Sequence, residues 1–232
     1  MPTNLVAAVV CALAGYLCGA IPFGLLIGRA KGVDIRAHGS GNIGATNVGR
    51  VLGRGYGVLV FVLDLLKGLG PVVLAGKWLS AGTFAASPAV PGAQGVLLWV
   101  VVGAACILGH MFPVYLKFKG GKGVATSLGV LLGIYPYFTV PALIAFGLWI
   151  ILTGITRYVS LGSMVAAVAF PIIFALAARI QGEMWGTSRQ LWPMYAFTIV
   201  VAVLVVYRHR KNLQRLLAGT ESKIGVSGSS SG

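Results

Sequence analysis

Residues 122–157 read KGVATSLGVLLGIYPYFTVPALIAFGLWIILTGITR, and between the terminal lysine and arginine no Asp, Glu, Lys or Arg appears for 34 residues. A straight α-helix over that run would rise about 51 Å at about 1.5 Å per residue, too far for one crossing of a hydrocarbon core about 30 Å thick. Pro136 and Pro141 stand mid-run, where a missing N–H and a ring clash disfavour continuous helix. Two short crossings, about 124–135 and 139–154, are therefore expected.

A bilayer is the right frame for that reading. The chain has 232 residues, 57% hydrophobic and 9% charged, with a mean hydropathy of +0.90. Soluble domains carry about 25% charged residues. Further apolar runs predict spans at 4–28, 56–78, 94–116, 158–178 and 190–207. The N-terminus lacks a basic flank and its apolar run exceeds a signal-peptide core, so it reads as a retained span.

The positive-inside rule chooses between six crossings and seven. Seven places Arg29, Lys31, Arg36, Arg50, Arg54, Lys117, Lys119, Lys122, Arg157, Arg208, Arg210, Lys211, Arg215 and Lys223 on one side. Lys77, Arg179 and Arg189 lie on the other, a ratio of 14 to 3, with Lys67 left inside a span. Six gives 10 to 7. The expected fold is all-α and polytopic, with seven transmembrane helices, a periplasmic N-terminus and a cytoplasmic C-terminus. One membrane domain is expected over 1–223, with GVSGSSSG at the end reading as an appended linker from 224.

The net charge of +14 suits an anionic leaflet or phosphate-bearing substrates; nucleic acid is an improbable partner for such a chain. Cys11, Cys18 and Cys106 lie in apolar runs, with neither metal-ligand spacing nor a disulfide framework. Asp64 and Lys67, three apart within a span, read as an ion pair, either structural or catalytic, with snorkelling of Lys67 as an alternative.

Three polar segments fall on the basic side. GSGNIGATNVGR, 39–50, reads as a flexible loop whose glycines expose backbone N–H groups. Ser40, Thr46 and Asn47 add donors, and Arg50 a fork for phosphate. KFKGGKG, 117–123, groups three lysines around Gly120, Gly121 and Gly123 but is no Walker A motif, because Gly123 occupies the Ser/Thr position. His209 and Asn212, in RHRKN, would share one helix face. His110 reads as a capping or packing histidine. With only Asp34, Asp64, Glu183 and Glu221, a paired-carboxylate site or hard-metal cage is improbable. Any enzyme here must work by binding and orienting anions, with no cofactor or metal.

GSGNIGATNVGR, GHMFPVYLKFKGGKGVATS (109–127) and RHRKNLQRLLAGTE (208–221) together resemble the bacterial acyl-phosphate:glycerol-3-phosphate acyltransferase family, PlsY. The resemblance implies a small seven-span inner-membrane enzyme with a cytoplasm-facing site. Such an enzyme moves a fatty acyl group from acyl phosphate to the 1-position of sn-glycerol 3-phosphate. Lysophosphatidic acid and inorganic phosphate result, opening phospholipid synthesis. Neither acyl-CoA nor acyl carrier protein would be the direct donor, and no obligate protein partner is implied.

By motif position, Ser40, Arg50, Lys122, His209 and Asn212 match the family's active-site residues. Gly44, Thr46 and Asn47 match its phosphate-holding turn, and Gly120, Gly121 and Gly123 its glycerol phosphate loop. Glu221 matches a structural glutamate. Either His209 or the phosphate of glycerol 3-phosphate takes the hydroxyl proton; the absence of a carboxylate placed to orient His209 favours the phosphate. From the residues alone, a phosphate transporter and a lipid-binding scaffold are the rival readings.

Overall fold

The computed structural model describes residues 2–81 and 92–225, and every regular element among them is helical. The order is α1 (Pro2–Gly19), α2 (Phe23–Ala30), α3 (Ala45–Leu52), α4 (Arg54–Ala81), α5 (Ala93–Met111), α6 (Val124–Gly133), α7 (Thr139–Thr156), α8 (Val159–Gln181), α9 (Ser188–Arg208) and α10 (Arg210–Leu217), with three short 3-10 turns. The connection 82–91 and the expected linker from 226 onward lie outside the described residues. At residue 224 the chain is still attached, since the Ile224 N–H donates to the Arg157 carbonyl.

The 122–157 run divides as its prolines dictate. Helix ends at Gly133, Pro136 sits in the turn, and Pro141 falls in the first turn of α7, where N–H groups have no intrahelical acceptor anyway. Among the described residues, six helical segments are long and apolar enough to cross a membrane: Ala8–Ala30, Arg54–Lys77, Ala93–Leu116, Thr139–Thr156, Val159–Gln181 and Ser188–Arg208. The expected 124–135 crossing is shorter, a helix of 10 residues that rises about 15 Å. Its following turn nonetheless reaches the α8–α9 connection. Tyr137 packs on Trp185 there, with ring centroids 5.4 Å apart, and edge-on to Trp99 of α5 at 6.5 Å.

Two expectations change. The first span is broken at Ala20–Pro22, because Pro22 has no N–H to continue the ladder. The freed Ile21 carbonyl accepts from Lys67 Nζ at 2.6 Å, and Lys67 also pairs with Asp64 at 2.7 Å. Both side chains are at most 4% exposed, so Lys67 does not snorkel; in hydrocarbon each charge needs its partner. The second change concerns GSGNIGATNVGR, whose latter half is helix α3 rather than loop.

Lipid offers no hydrophobic drive between apolar helices, so close approach rests on small residues. The most extensive packing, α4 on α6, places Gly129 against the Leu65 carbonyl and Gly68 against the Thr126 carbonyl. Gly19 and Gly109 do the same between α1 and α5, against the carbonyls of Cys106 and Tyr16. Near the α6–α7 turn, Phe138 packs on Phe170, Phe174 and Phe197 at 5.4, 4.8 and 5.9 Å, forming an aromatic plug.

Candidate functional site

Asn47 organises the first segment. Its Nδ2 donates to the Ile35 and His38 carbonyls, and its Oδ1 accepts from the Ser40 N–H at 2.8 Å. Gly39, at φ +59°, is required beside it, since a side chain would strike Asn47 Oδ1. The amide that sequence reasoning offered to phosphate is thus spent on shaping the loop, although Asn47 still borders the cleft. Gly44 is the N-cap of α3 in extended backbone, its N–H held by Asn42 Oδ1 at 2.9 Å. The Asn47 N–H donates to the Gly44 carbonyl at 3.0 Å, and the N–H groups ahead of it in the first turn lack intrahelical acceptors and carry the positive end of the helix dipole. Thr46 and Arg50 lie four apart, on one face of α3.

The lysine loop is pinned from both sides. Lys117 and Phe118 sit in left-handed backbone at φ 51° and 61°, uncommon for residues with a side chain. Gly120 and Gly121 donate to the Met111 and His110 carbonyls. Arg208 donates to the Gly120 and Gly121 carbonyls, each at 2.7 Å, and stacks its guanidinium over Phe112 at 5.1 Å. A side chain at Gly121 would run into the His110 ring, so these two glycines serve close packing. Of the three loop glycines, only Gly123 borders the cleft.

Lys122 Nζ donates to Asn212 Oδ1 at 2.6 Å, Asn212 Nδ2 to Glu221 Oε1 at 2.6 Å, and Ser160 Oγ to the same oxygen at 2.7 Å. Arg215 donates to Glu221 Oε2 at 2.7 Å. Burial pushes the Glu221 carboxyl up, but these donors outweigh it and hold it below its usual range. Burial lowers Lys122 to about 8, with Arg215, Arg50 and Arg208 adding to the effect against Glu221. His209, 2% exposed, hydrogen-bonds through Nδ1 to the Val205 carbonyl at 2.8 Å. A carbonyl only accepts, so Nδ1 bears the hydrogen and Nε2 the lone pair. Burial and then the Lys122 charge lower His209 to about 4, leaving it neutral at pH 7. The orienting partner that no carboxylate provides is this backbone carbonyl.

Ser40, Gly44, Thr46, Asn47, Arg50, Lys122, Gly123, His209 and Asn212 thus border one cleft of about 780 Å³, its mouth included. Asp64 and His110 also line it; sequence reasoning left Asp64 open between a structural and a catalytic ion pair and read His110 as capping or packing. Arg208, Arg215 and Ser160 were missed because the two arginines read as tail charge and Ser160, inside an apolar run, carries no signal of its own. Arg50 Nη2 donates to the Ser222 carbonyl at 3.1 Å, so the tail crosses the cleft. The cleft shares Phe61, Val124, Trp149 and Ser163 with an apolar groove of about 620 Å³ among α6, α7, α8 and α9.

Residues 9–219 match the family described as glycerol-3-phosphate acyltransferase. Glycerol-3-phosphate acyltransferases of Geobacter sulfurreducens and Thermosynechococcus vestitus are 46% and 41% identical, covering 90% and 93% of this chain and 93% and 94% of their own. The crystal structure of PlsY (YgiH), an integral membrane glycerol 3-phosphate acyltransferase, in its glycerol 3-phosphate form is 40% identical. It superposes with a TM-score of 0.76 over 94% of this chain and 96% of that one. Its lysophosphatidic acid form gives 0.77 at 39% identity over the same shares.

Proposed function

This chain belongs to the glycerol-3-phosphate acyltransferase family, and from that premise we propose that it transfers a fatty acyl group from acyl phosphate to the 1-position of sn-glycerol 3-phosphate. The products are lysophosphatidic acid and inorganic phosphate, and the step opens phospholipid biosynthesis. One observation carries the reading: a cleft bordered by Arg50 and Lys122 runs directly into an apolar groove. Phosphate chemistry and a fatty chain meet where the two share Val124 and Trp149. The solved relative with glycerol 3-phosphate and lysophosphatidic acid forms supports the acceptor and the product.

The α3 N-terminus at Gly44–Thr46 and the Ser40 hydroxyl receive one phosphate; Arg50 and Lys122 lie between the two anion positions. Asn212 sets the direction of Lys122. The 1-hydroxyl oxygen attacks the acyl carbonyl carbon, the bond from that carbon to the phosphate oxygen breaks, and phosphate departs with the electron pair. Cations and amides stabilise the oxyanion and the leaving phosphate, while held geometry supplies the positioning contribution. His209 Nε2 accepts the hydroxyl's hydrogen bond and aims it. A base lowered to about 4 is weak, so the proton passes to the phosphate of glycerol 3-phosphate, whose second pKa is about 6. The reaction as written needs no cofactor, metal or protein partner.

Seven crossings of a bacterial inner membrane, with the N-terminus periplasmic and the cleft cytoplasmic, accompany this reading. The 14-to-3 charge division supports it, as do the Lys122–Asn212 and Arg50–Ser222 bonds that gather the three basic segments at one end. Residues 1–223 act as one membrane domain. The test places the protein in lipid with palmitoyl phosphate and glycerol 3-phosphate and follows phosphate and lysophosphatidate. Both products should appear in equal amounts, with none from palmitoyl-CoA; the absence of both overturns the reading.

A further inference from the structure

Gly120 and Gly121 stand directly before Lys122, and glycine leaves the backbone freer than any other residue. The peptide between the two glycines is held on both sides. The Gly121 N–H donates to the His110 carbonyl at 3.1 Å, and the Gly120 carbonyl accepts from Arg208 Nη2 at 2.7 Å. The peptide between Gly121 and Lys122 is held on one side. Among the described residues no acceptor receives the Lys122 N–H, whereas the Gly121 carbonyl accepts from Arg208 twice, from Nη2 at 2.7 Å and from Nε at 3.1 Å. A peptide unit is planar, so a fixed carbonyl also fixes the N–H on its far side. The Arg208 guanidinium thereby sets the direction in which Lys122 leaves the loop.

The guanidinium is itself fixed, lying over the Phe112 ring at 5.1 Å while its planar fork spans two carbonyls. The N–H groups of residues 117–121 donate to carbonyls of residues 110–116, the end of α5 and the turn after it. Arg208 and the Lys122–Asn212 bond reach much farther, across 87 and 90 residues, and join the loop to α9 and α10. His209 follows Arg208 directly, so one dipeptide carries both the anchor of the lysine loop and the imidazole that aims the acceptor hydroxyl. Arg208 lies outside the lining of the cleft, and its charge is directed at carbonyl oxygens rather than at a phosphate.

We propose that Arg208 is a positioning residue of the acyl transfer: through the Gly120 and Gly121 carbonyls it holds Lys122 between the two anion positions, in register with His209. This rests on the acyl-phosphate reading above. Without that grip the two glycines are a hinge, and Lys122 swings toward water and away from the developing charge. A reacting group misplaced by about 1 Å loses about 100-fold in rate, so an arginine that touches no substrate can still govern turnover.

The test follows phosphate release from palmitoyl phosphate and glycerol 3-phosphate in lipid, as a function of pH, for the wild type, Arg208→Lys and Phe112→Leu. Lysine keeps the charge, but a point charge does not bridge two carbonyls and stack on a ring. In Arg208→Lys, kcat/KM should fall about 10- to 100-fold. The alkaline limb separates positioning from mere support of the fold. Lys122 is lowered to about 8, chiefly by burial. It faces Glu221 and Arg215 of the tail, Arg50 of α3, and Arg208 and His209 at the end of α9. Released into water it regains its hydration, so the limb should rise from about 8 toward the ordinary lysine value of about 10.4. The charge at position 208 is unchanged in this variant, so lost repulsion does not account for the rise. Phe112→Leu removes the stacking face and keeps both carbonyl bonds; its limb should move the same way by less. Wild-type kcat/KM in Arg208→Lys, or a fall with the limb still near 8, overturns the proposal. If Arg208→Lys does not fold, an unmoved limb in Phe112→Leu overturns it. Phosphate and lysophosphatidate from the wild type report separately on the parent reading.

Discussion

At the scale of single residues the cleft is a balance of cations against burial. Arg50 donates to the neutral Ser222 carbonyl, so phosphate can displace that bond. Arg50→Ala should lower kcat/KM for glycerol 3-phosphate about 10- to 100-fold, equivalent to about 1.4–3 kcal/mol of charged hydrogen bonding, with helical circular dichroism unchanged. Lys122, lowered to about 8, is charged below that pH and neutral above it. kcat/KM should therefore fall as pH rises through about 8 rather than near 10, and Lys122→Arg should carry that limb upward. An unmoved limb would assign it to another group. His209, neutral down to about 4, should contribute no limb near 6.5. If His209→Gln abolishes turnover while affinity for glycerol 3-phosphate stays intact, proton transfer belongs to His209 and not to the substrate phosphate.

Among the elements, the glycine-mediated crossing of α4 and α6 bears most directly on the site, because α6 begins two residues after Lys122. Gly129→Val would drive a branched side chain into the Leu65 carbonyl, costing about 1–3 kcal/mol, read as a lower Tm in detergent. A compensating shift of α6 should also weaken the Lys122–Asn212 bond. Much of this layout was legible in the sequence, for physical reasons. Proline at 136 and the missing charges fixed the α6–α7 division, and the basic residues ranked the topologies. Pro22 signalled the break at Ala20–Pro22, but what satisfies it was not legible, because the Ile21 carbonyl is held by Lys67, 46 residues away in the chain. Helix α3 was hidden by glycine and asparagine, which read as loop until Asn47 is seen clamping two distant carbonyls. Ser40, Arg50, Lys122, His209 and Asn212, picked out by their side-chain chemistry, all border the cleft, whereas Gly120 and Gly121 lack side chains so that they can pack on His110.

For the whole molecule, the short α6 and its turn complete an odd number of passes in the proposed topology. Single cysteines introduced at Lys119 and Lys211 in a background lacking Cys11, Cys18 and Cys106 should both react with a membrane-impermeant maleimide from the cytoplasmic side only. Opposite accessibility of the two would restore six crossings. The outward-facing Ile155 and Ile180, 77% and 83% exposed, belong against acyl chains, so transfer into water should aggregate the protein rather than unfold it.

The tail that crosses the cleft adds a constraint of timing. Glu221 accepts from Ser160, Asn212 and Arg215, and the Ser222 carbonyl holds Arg50, so the last described stretch of chain closes a site whose first wall was laid down near residue 40. A polypeptide still being extended by the ribosome can insert every apolar helix and yet hold no ordered Lys122. Activity thus begins only after residues 221–222 have been added and docked, and a chain stopped after Leu217 would be a membrane-inserted bundle that cannot acylate.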